Sequence, residues 1–401
     1  MSMTRHFAAR KWWRQRRRRL LQFLIVLLAT AAALKLADEF RRLVWDSGPN
    51  GAVDLKHLHT WTALWFNGQE FFRQTNAAVY PPATYVMLWP LLGWMSFNAA
   101  RWLWAGTSIL ALIAIILLIV RIAAADTRQE KVFVALLLLS INGTGVALGN
   151  GQLILHLLPA LLAGMMLLER DGATLGREVS AAALMTWAMI KPSVAAPFFC
   201  ILFGWQRWRV LSLVLLFYAV LTLAAASFQQ EDLLTLFKLC LAKASTATAH
   251  FAGTRNIHAL LVAAGLEQWL TLSSVVIFAA FGVWATYYRA GDRWVLVAVA
   301  ALVARIWSYH RLYDDVLILL PEIALFRIAK QSLLPRQRAI AGTLLAVTAL
   351  AMLCPARLLE QPSEWSWVFN TIHTILWLAL LMDLMIYAHV DGPQVIRITD
   401  R

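Results

Sequence analysis

The chain has 401 residues, 60% of them hydrophobic and 14% charged, with a mean hydropathy of +0.64. A soluble protein of that length cannot hide so much apolar surface, so the composition excludes a soluble fold and predicts a polytopic membrane protein. The net charge of +14 would point to nucleic acid in a soluble domain. Here Arg10, Lys11, Arg14 and Arg16 to Arg19 crowd the residues before the first apolar segment, and a topology signal accounts for them.

That cluster places the N-terminus in the cytoplasm, with Trp12 and Trp13 at headgroup level and the cations against anionic membrane lipid. No nucleic-acid partner is expected. Leu20 to Ala37 reads as a retained first span. Residues 38–78 then form an outer loop too long for a bare connector. Within it, Leu58, Trp61, Thr62, Leu64, Trp65 and Phe66 have near-helical spacing, which predicts one or two amphipathic helices on the membrane surface. Further on, apolar stretches lie near residues 79–96, 99–120, 132–148, 152–168 and 178–205. Read as five crossings, they bring the total to about twelve transmembrane helices. That reading leaves Arg121, Arg128 and Lys131 outside, against the positive-inside rule. Breaks at Gly149-Asn150-Gly151-Gln152 and Lys191-Pro192 imply short or re-entrant helices lining a cavity. In the second half Arg207, Arg209, Arg289, Arg293, Lys330 and Arg336 fall on the inner side of alternating spans, and the C-terminus is cytoplasmic.

The expected fold is all-α. It divides into a basic N-terminus (1–19), a transmembrane catalytic module (20–330), C-terminal transmembrane helices (331–390) and a cytoplasmic tail (391–401). Cys200, Cys240 and Cys354 carry no metal spacing and no disulfide framework.

Ionisable groups in an apolar chain are costly and so are functional candidates. The first set is Asp54 with His57, His59, Gln69 and Tyr80. A carboxylate within reach of a hydroxyl can remove its proton, whereas a loop aspartate can equally well cap a surface helix. The second is Asn150 and Gln152, whose amides can donate to sugar hydroxyls or phosphate oxygens or hold two helices together. The third is Lys191, which needs an anion. A lipid-linked phosphate fits, and so does an internal carboxylate. The fourth is His310, Arg311, Tyr313, Asp314 and Asp315, suited to a phosphosugar. Asn256 and His258 are lesser candidates. No metal or other cofactor is expected, because neighbouring aspartates on a helix diverge by about 100° and suit one ion poorly. Asn142-Gly143-Thr144 has the form of a glycosylation sequon but sits in an apolar stretch.

In this order, Asp54, Gly68, Tyr80-Pro81-Pro82, Pro90, Gly151-Gln152, Lys191-Pro192, the Trp205–Arg209 turn and His310–Asp315 before Leu319-Leu320-Pro321 resemble glycosyltransferase family 87 of the GT-C superfamily. The resemblance covers roughly residues 20–330. It implies a polyprenyl-phosphate sugar donor, with mannose as the first choice and arabinose as an alternative. It also implies a lipid-linked or glycan acceptor and an active site on the periplasmic side of the cytoplasmic membrane, with Asp54 as general base. The aromatic residue usual after the aspartate is replaced here by the His57/His59 region. A transporter or flippase of lipid-linked saccharides would share the broken helices, and an O-antigen polymerase or ligase is a third, lesser candidate. The polar groups cluster toward outer loops, as an enzyme's would.

Overall fold

The computed structural model describes residues 2–75, 78–168, 172, 174–250, 256–354 and 364–391, and every regular element among them is helical. Helix α1 (Ser2–Val44) passes through the predicted first span and continues to Val44, so residues 38–44 extend a helix and do not open a loop. Arg101 explains the stop. Its buried guanidinium donates to the carbonyls of Leu43, Arg42 and Asp46 at 2.6, 3.1 and 2.6 Å, satisfying acceptors that a helix end leaves orphaned.

Helix α2 (Val53–Phe66) is the amphipathic helix that the sequence predicted. Leu55, Leu58, Thr62 and Trp65 form its buried face. Trp65 stacks on Tyr85 at 4.6 Å and meets Phe71 and Phe72 edge-on. Its indole donates to the Ala225 carbonyl at 2.9 Å. The single turn α3 (Phe71–Gln74) closes the loop. Helix α4 (Ala83–Leu92) follows Tyr80-Pro81-Pro82, and α5 (Phe97–Ile122) follows a Ser96 cap. Both ends of the 79–96 stretch lie at one end of the bundle. Thr84 Oγ1 donates to Ile190 O at 2.9 Å, and His59 Nε2 meets Met95 O at 3.0 Å beside the α1-capping Arg101.

Helices α6 (Arg128–Ser140) and α7 (Asn142–Asn150) are bent by 54°. The chain then runs through α8 (Ile154–Leu167), α9 (Leu175–Ala188), α10 (Pro192–Gly204) and α11 (Trp208–Ala226). Next come α12 (Leu233–His250), α13 (Ile257–Ala263), α14 (Leu270–Tyr287) and α15 (Arg293–Ile306). A 3-10 stretch, Leu312–Ile318, leads into α16 (Leu319–Gln331), α17 (Pro335–Met352) and α18 (Glu364–Asp391).

Four helical segments are long and apolar enough to cross a membrane: Phe97–Ile122, Trp208–Ala226, Glu267–Tyr287 and Val368–His389. The bent α6–α7 pair makes a fifth. About twelve were expected. The difference has a physical cause. Five of the helices, α8, α9, α10, α15 and α16, run for only 14, 14, 13, 14 and 13 residues, and such pieces are only about 20 Å long.

Hydrogen bonds sort the helix ends into two groups. One end holds the α1 terminus, α2, the start of α5, Asn150, the Lys191 break and the 3-10 stretch. At the other end, Arg327 donates to Ile122 O, and Lys330 reaches Ala124 O, Asp126 and Glu130 at 2.7–2.8 Å. Arg207 donates to Leu168 O, and Arg293 lies 5.4 Å from the Trp205 ring. We call these the site end and the basic end.

Candidate active site

Asp54 stands in the first turn of α2. The conformation of that turn is set from both sides. Ala52 before it has φ +49°. Gly151 below it has φ +71°, and a Cβ there would lie 2.5 Å from Leu55 Cβ. Glycine at 151 therefore lets α7 end directly under the turn that carries Asp54. Asp54 Oδ2 is buried and, among the described residues, accepts no hydrogen bond. Three phenols lie within reach of its charge. Burial and the Asp54 charge together push the Tyr80 and Tyr313 hydroxyls well up. At Tyr309, burial is again the largest cause, opposed by Arg311 and aided by Asp314 and Asp54. All three phenols stay protonated and so remain O–H donors.

Beside them lies a buried ionic group. Lys191 Nζ donates to both carboxylate oxygens of Asp314, at 2.6 and 2.8 Å, and sits 5.0 Å from the Tyr313 ring centroid. His310 Nδ1–H donates to Asp314 Oδ2 at 2.9 Å. Burial favours the uncharged form of Asp314, but Lys191 and His310 outweigh it and hold the carboxyl well below the usual range. Burial also lowers His310, despite the opposing pull of Asp314, which keeps the imidazole neutral. Asp315 pairs separately with Arg305, whose Nε and Nη2 approach at 2.7 and 2.6 Å. Gly143 admits this segment: a Cβ there would meet Leu312 O at 2.8 Å and Asp315 Cβ at 3.1 Å.

Several expectations change. Of the two anions weighed for Lys191, a lipid-linked phosphate and an internal carboxylate, the structure shows the carboxylate, Asp314. Asp314 and Asp315 are each neutralised internally, because a buried carboxylate without a cation is far costlier than a paired one. Asn150 accepts from Arg42 Nη2 at 2.7 Å and holds α7 to α1. His59 is taken up by the Met95 carbonyl. Asn256 caps α13 and donates to Ser308 O, and His258 meets Ser274 Oγ at 3.1 Å. Gln152 is buried with Oε1 lacking a partner. Gln69 is exposed. Arg311 opens the 3-10 stretch, its backbone N–H reaching Asp314 Oδ2 at 3.4 Å. His57 is exposed and stacks on Trp61. Tyr309 and Arg305 were missed. Arg305 carried the signal that marked Lys191, a charge inside an apolar run, whereas a tyrosine at a span end carried none. Among the described residues no group of three or more His, Cys, Asp or Glu side chains is arranged to hold a metal.

An apolar helical bundle with membrane-length helices, carrying phenols, an ionic cluster and the unpartnered Asp54 oxygen at a single end, defines a membrane protein with a polar site built at one face. The sequence model of glycosyltransferase family 87 matches residues 78–308, more than half of the chain. The chain belongs to that family and is a membrane glycosyltransferase. No curated protein and no solved structure matches it. The matched region begins after Asp54, so the case for Asp54 rests on the site geometry.

Proposed function

We propose that this glycosyltransferase moves a sugar from a polyprenyl-phosphate donor to a hydroxyl of a lipid-linked or glycan acceptor, with Asp54 as general base. The supporting observation is the contrast between carboxylates at the site end: Asp314 and Asp315 are held by cations, and Asp54 Oδ2 is buried without a partner. Oδ2 takes the acceptor O–H proton as that oxygen attacks the anomeric carbon. The bond from the anomeric carbon to the phosphate oxygen breaks, and its electron pair leaves with the polyprenyl phosphate. The Tyr309 hydroxyl, which accepts from Tyr313 and keeps its own O–H, is the one proposed to donate to the departing phosphate. Lys191 uses two of its three N–H groups on Asp314 and supplies positive potential beside them. Mannose is the sugar that the resemblance favours.

The proposed setting is a cytoplasmic membrane with the basic end inside and the site end outside. The chain then passes twelve times through α1, α5, α6–α7, α8, α9, α10, α11, α14, α15, α16, α17 and α18, while α4 stays at the outer end. This arrangement puts Arg121, Arg128 and Lys131 inside, in accord with the positive-inside rule.

Asp54→Asn keeps the shape and removes the base. Its transfer rate should fall by about 10²–10⁴-fold, with donor binding retained. A variant that keeps more than about a tenth of wild-type turnover would exclude Asp54 as the base, given that range.

A further inference from the structure

An aromatic flank of α2 leads from the surface to Asp54. Asp54, His57 and Trp61 are spaced i, i+3, i+7 and so share one side of the helix. The exposed His57 ring lies parallel to Trp61, with centroids 5.2 Å apart and planes 22° apart. Trp61, half-buried, continues to Tyr80 at 6.3 Å. Tyr80 in turn lies within reach of the Asp54 charge. Leu55, Leu58, Thr62 and Trp65 make the buried face of α2, and Trp61 packs at its edge.

We propose that this flank is a saccharide subsite for the acceptor, with a sugar ring lying against the exposed side of the His57–Trp61 stack and its reacting hydroxyl directed to Asp54. A pyranose presents a face of C–H bonds ringed by hydroxyls. A flat aromatic surface matches the C–H face, and polar groups at its inner end match the rim. Asp54, His57, Trp61 and Tyr80 themselves include no lysine or arginine, so the outer part of the flank suits an uncharged sugar better than a phosphate headgroup. The acceptor is accordingly a glycan, and a bare lipid alcohol does not satisfy the subsite. This inference takes Asp54 as the base, and its test reads binding independently of that role.

The test is saturation-transfer NMR on the full-length protein in nanodiscs, with the methyl glycosides of mannose, glucose, galactose and arabinose as probes. Wild type, Trp61→Phe and Asp54→Asn should transfer saturation to the C–H protons of one ring face of at least one glycoside. Trp61→Ala should weaken that binding by about three- to tenfold, the scale of one aromatic contact. No saccharide signal in wild type would overturn the proposal. So would an unchanged signal in Trp61→Ala, which would make the flank a membrane-interface anchor. If Asp54→Asn retains turnover while Trp61→Ala loses saccharide binding, the base assignment fails and the subsite stands.

Discussion

Asp54, Asp314 and Asp315 share the site end, and their environments divide their tasks. Lys191 and His310 fix Asp314, and Arg305 fixes Asp315. Asp54 is left able to accept a proton. The sequence exposed Asp54, Lys191 and the His310–Asp315 run because ionisable residues stand out in an apolar chain. It could not show which would pair with which, since Lys191 and Asp314 are joined only by the fold. Tyr309 was illegible for another reason: a tyrosine at a span end is ordinary. In the structure the Tyr313 hydroxyl bonds to Tyr309, and both lie within reach of Asp54. Tyr309→Phe removes one hydroxyl and keeps the ring. If that hydroxyl serves the leaving phosphate, kcat should fall on the order of 10²-fold while thermal stability barely moves. Unchanged kcat with a lowered melting temperature would make Tyr309 a packing residue.

At the scale of elements, α7 organises the site through what it lacks. Gly143 lets the 3-10 stretch approach, Gly149 lets α1 approach, and Gly151 lets α2 approach. The Gly149–Gln152 break was legible as punctuation. Its use for helix contact was not, because a sequence does not reveal what a missing Cβ would strike. Gly151→Ala combines a left-handed φ with a 2.5 Å approach to Leu55 Cβ. The strain should cost about 1–3 kcal/mol, and relief by shifting α2 would displace Asp54. Activity should therefore fall further than the stability loss explains, and a folded Gly151→Ala protein with wild-type kcat would disprove the coupling. The Lys191-Pro192 break is held differently, through Thr84 on Ile190 O and Trp307 on Ser193 O. Removing the lysine strands Asp314. Lys191→Met should cost about 3–5 kcal/mol, seen as a lower melting temperature, and adding Asp314→Asn should restore most of it. Were the double variant no more stable than the single, the ion pair would not be what holds the break.

For the whole molecule, the all-helical class follows from composition, and the early break points follow from glycine and proline. The path between residues 79 and 205 did not, because hydropathy marks apolar length and not direction. Residues 79–96 look like a span, yet their contacts keep both ends at the site end. Residues 178–205 look like one span, yet they hold two helices meeting at Lys191. Exchanging one crossing for the other preserves the total and reverses the segments between, which is why Arg121, Arg128 and Lys131 had seemed to lie on the wrong side. Their chain neighbours support that exchange: Ile122 O and Glu130 accept from Arg327 and Lys330 at the basic end. The proposed topology therefore puts Arg128 in the cytoplasm and the exposed Lys56 of α2 outside. In a chain whose three cysteines are replaced by alanine, a membrane-impermeant maleimide added to intact spheroplasts should label Lys56→Cys. It should label Arg128→Cys only after the membrane is opened. Labelling of Arg128→Cys in intact spheroplasts would reverse α5 and α6 and refute the twelve-pass path. Lys56→Cys labelling only after opening would instead put the Asp54 site on the cytoplasmic face, where a donor need not be lipid-linked.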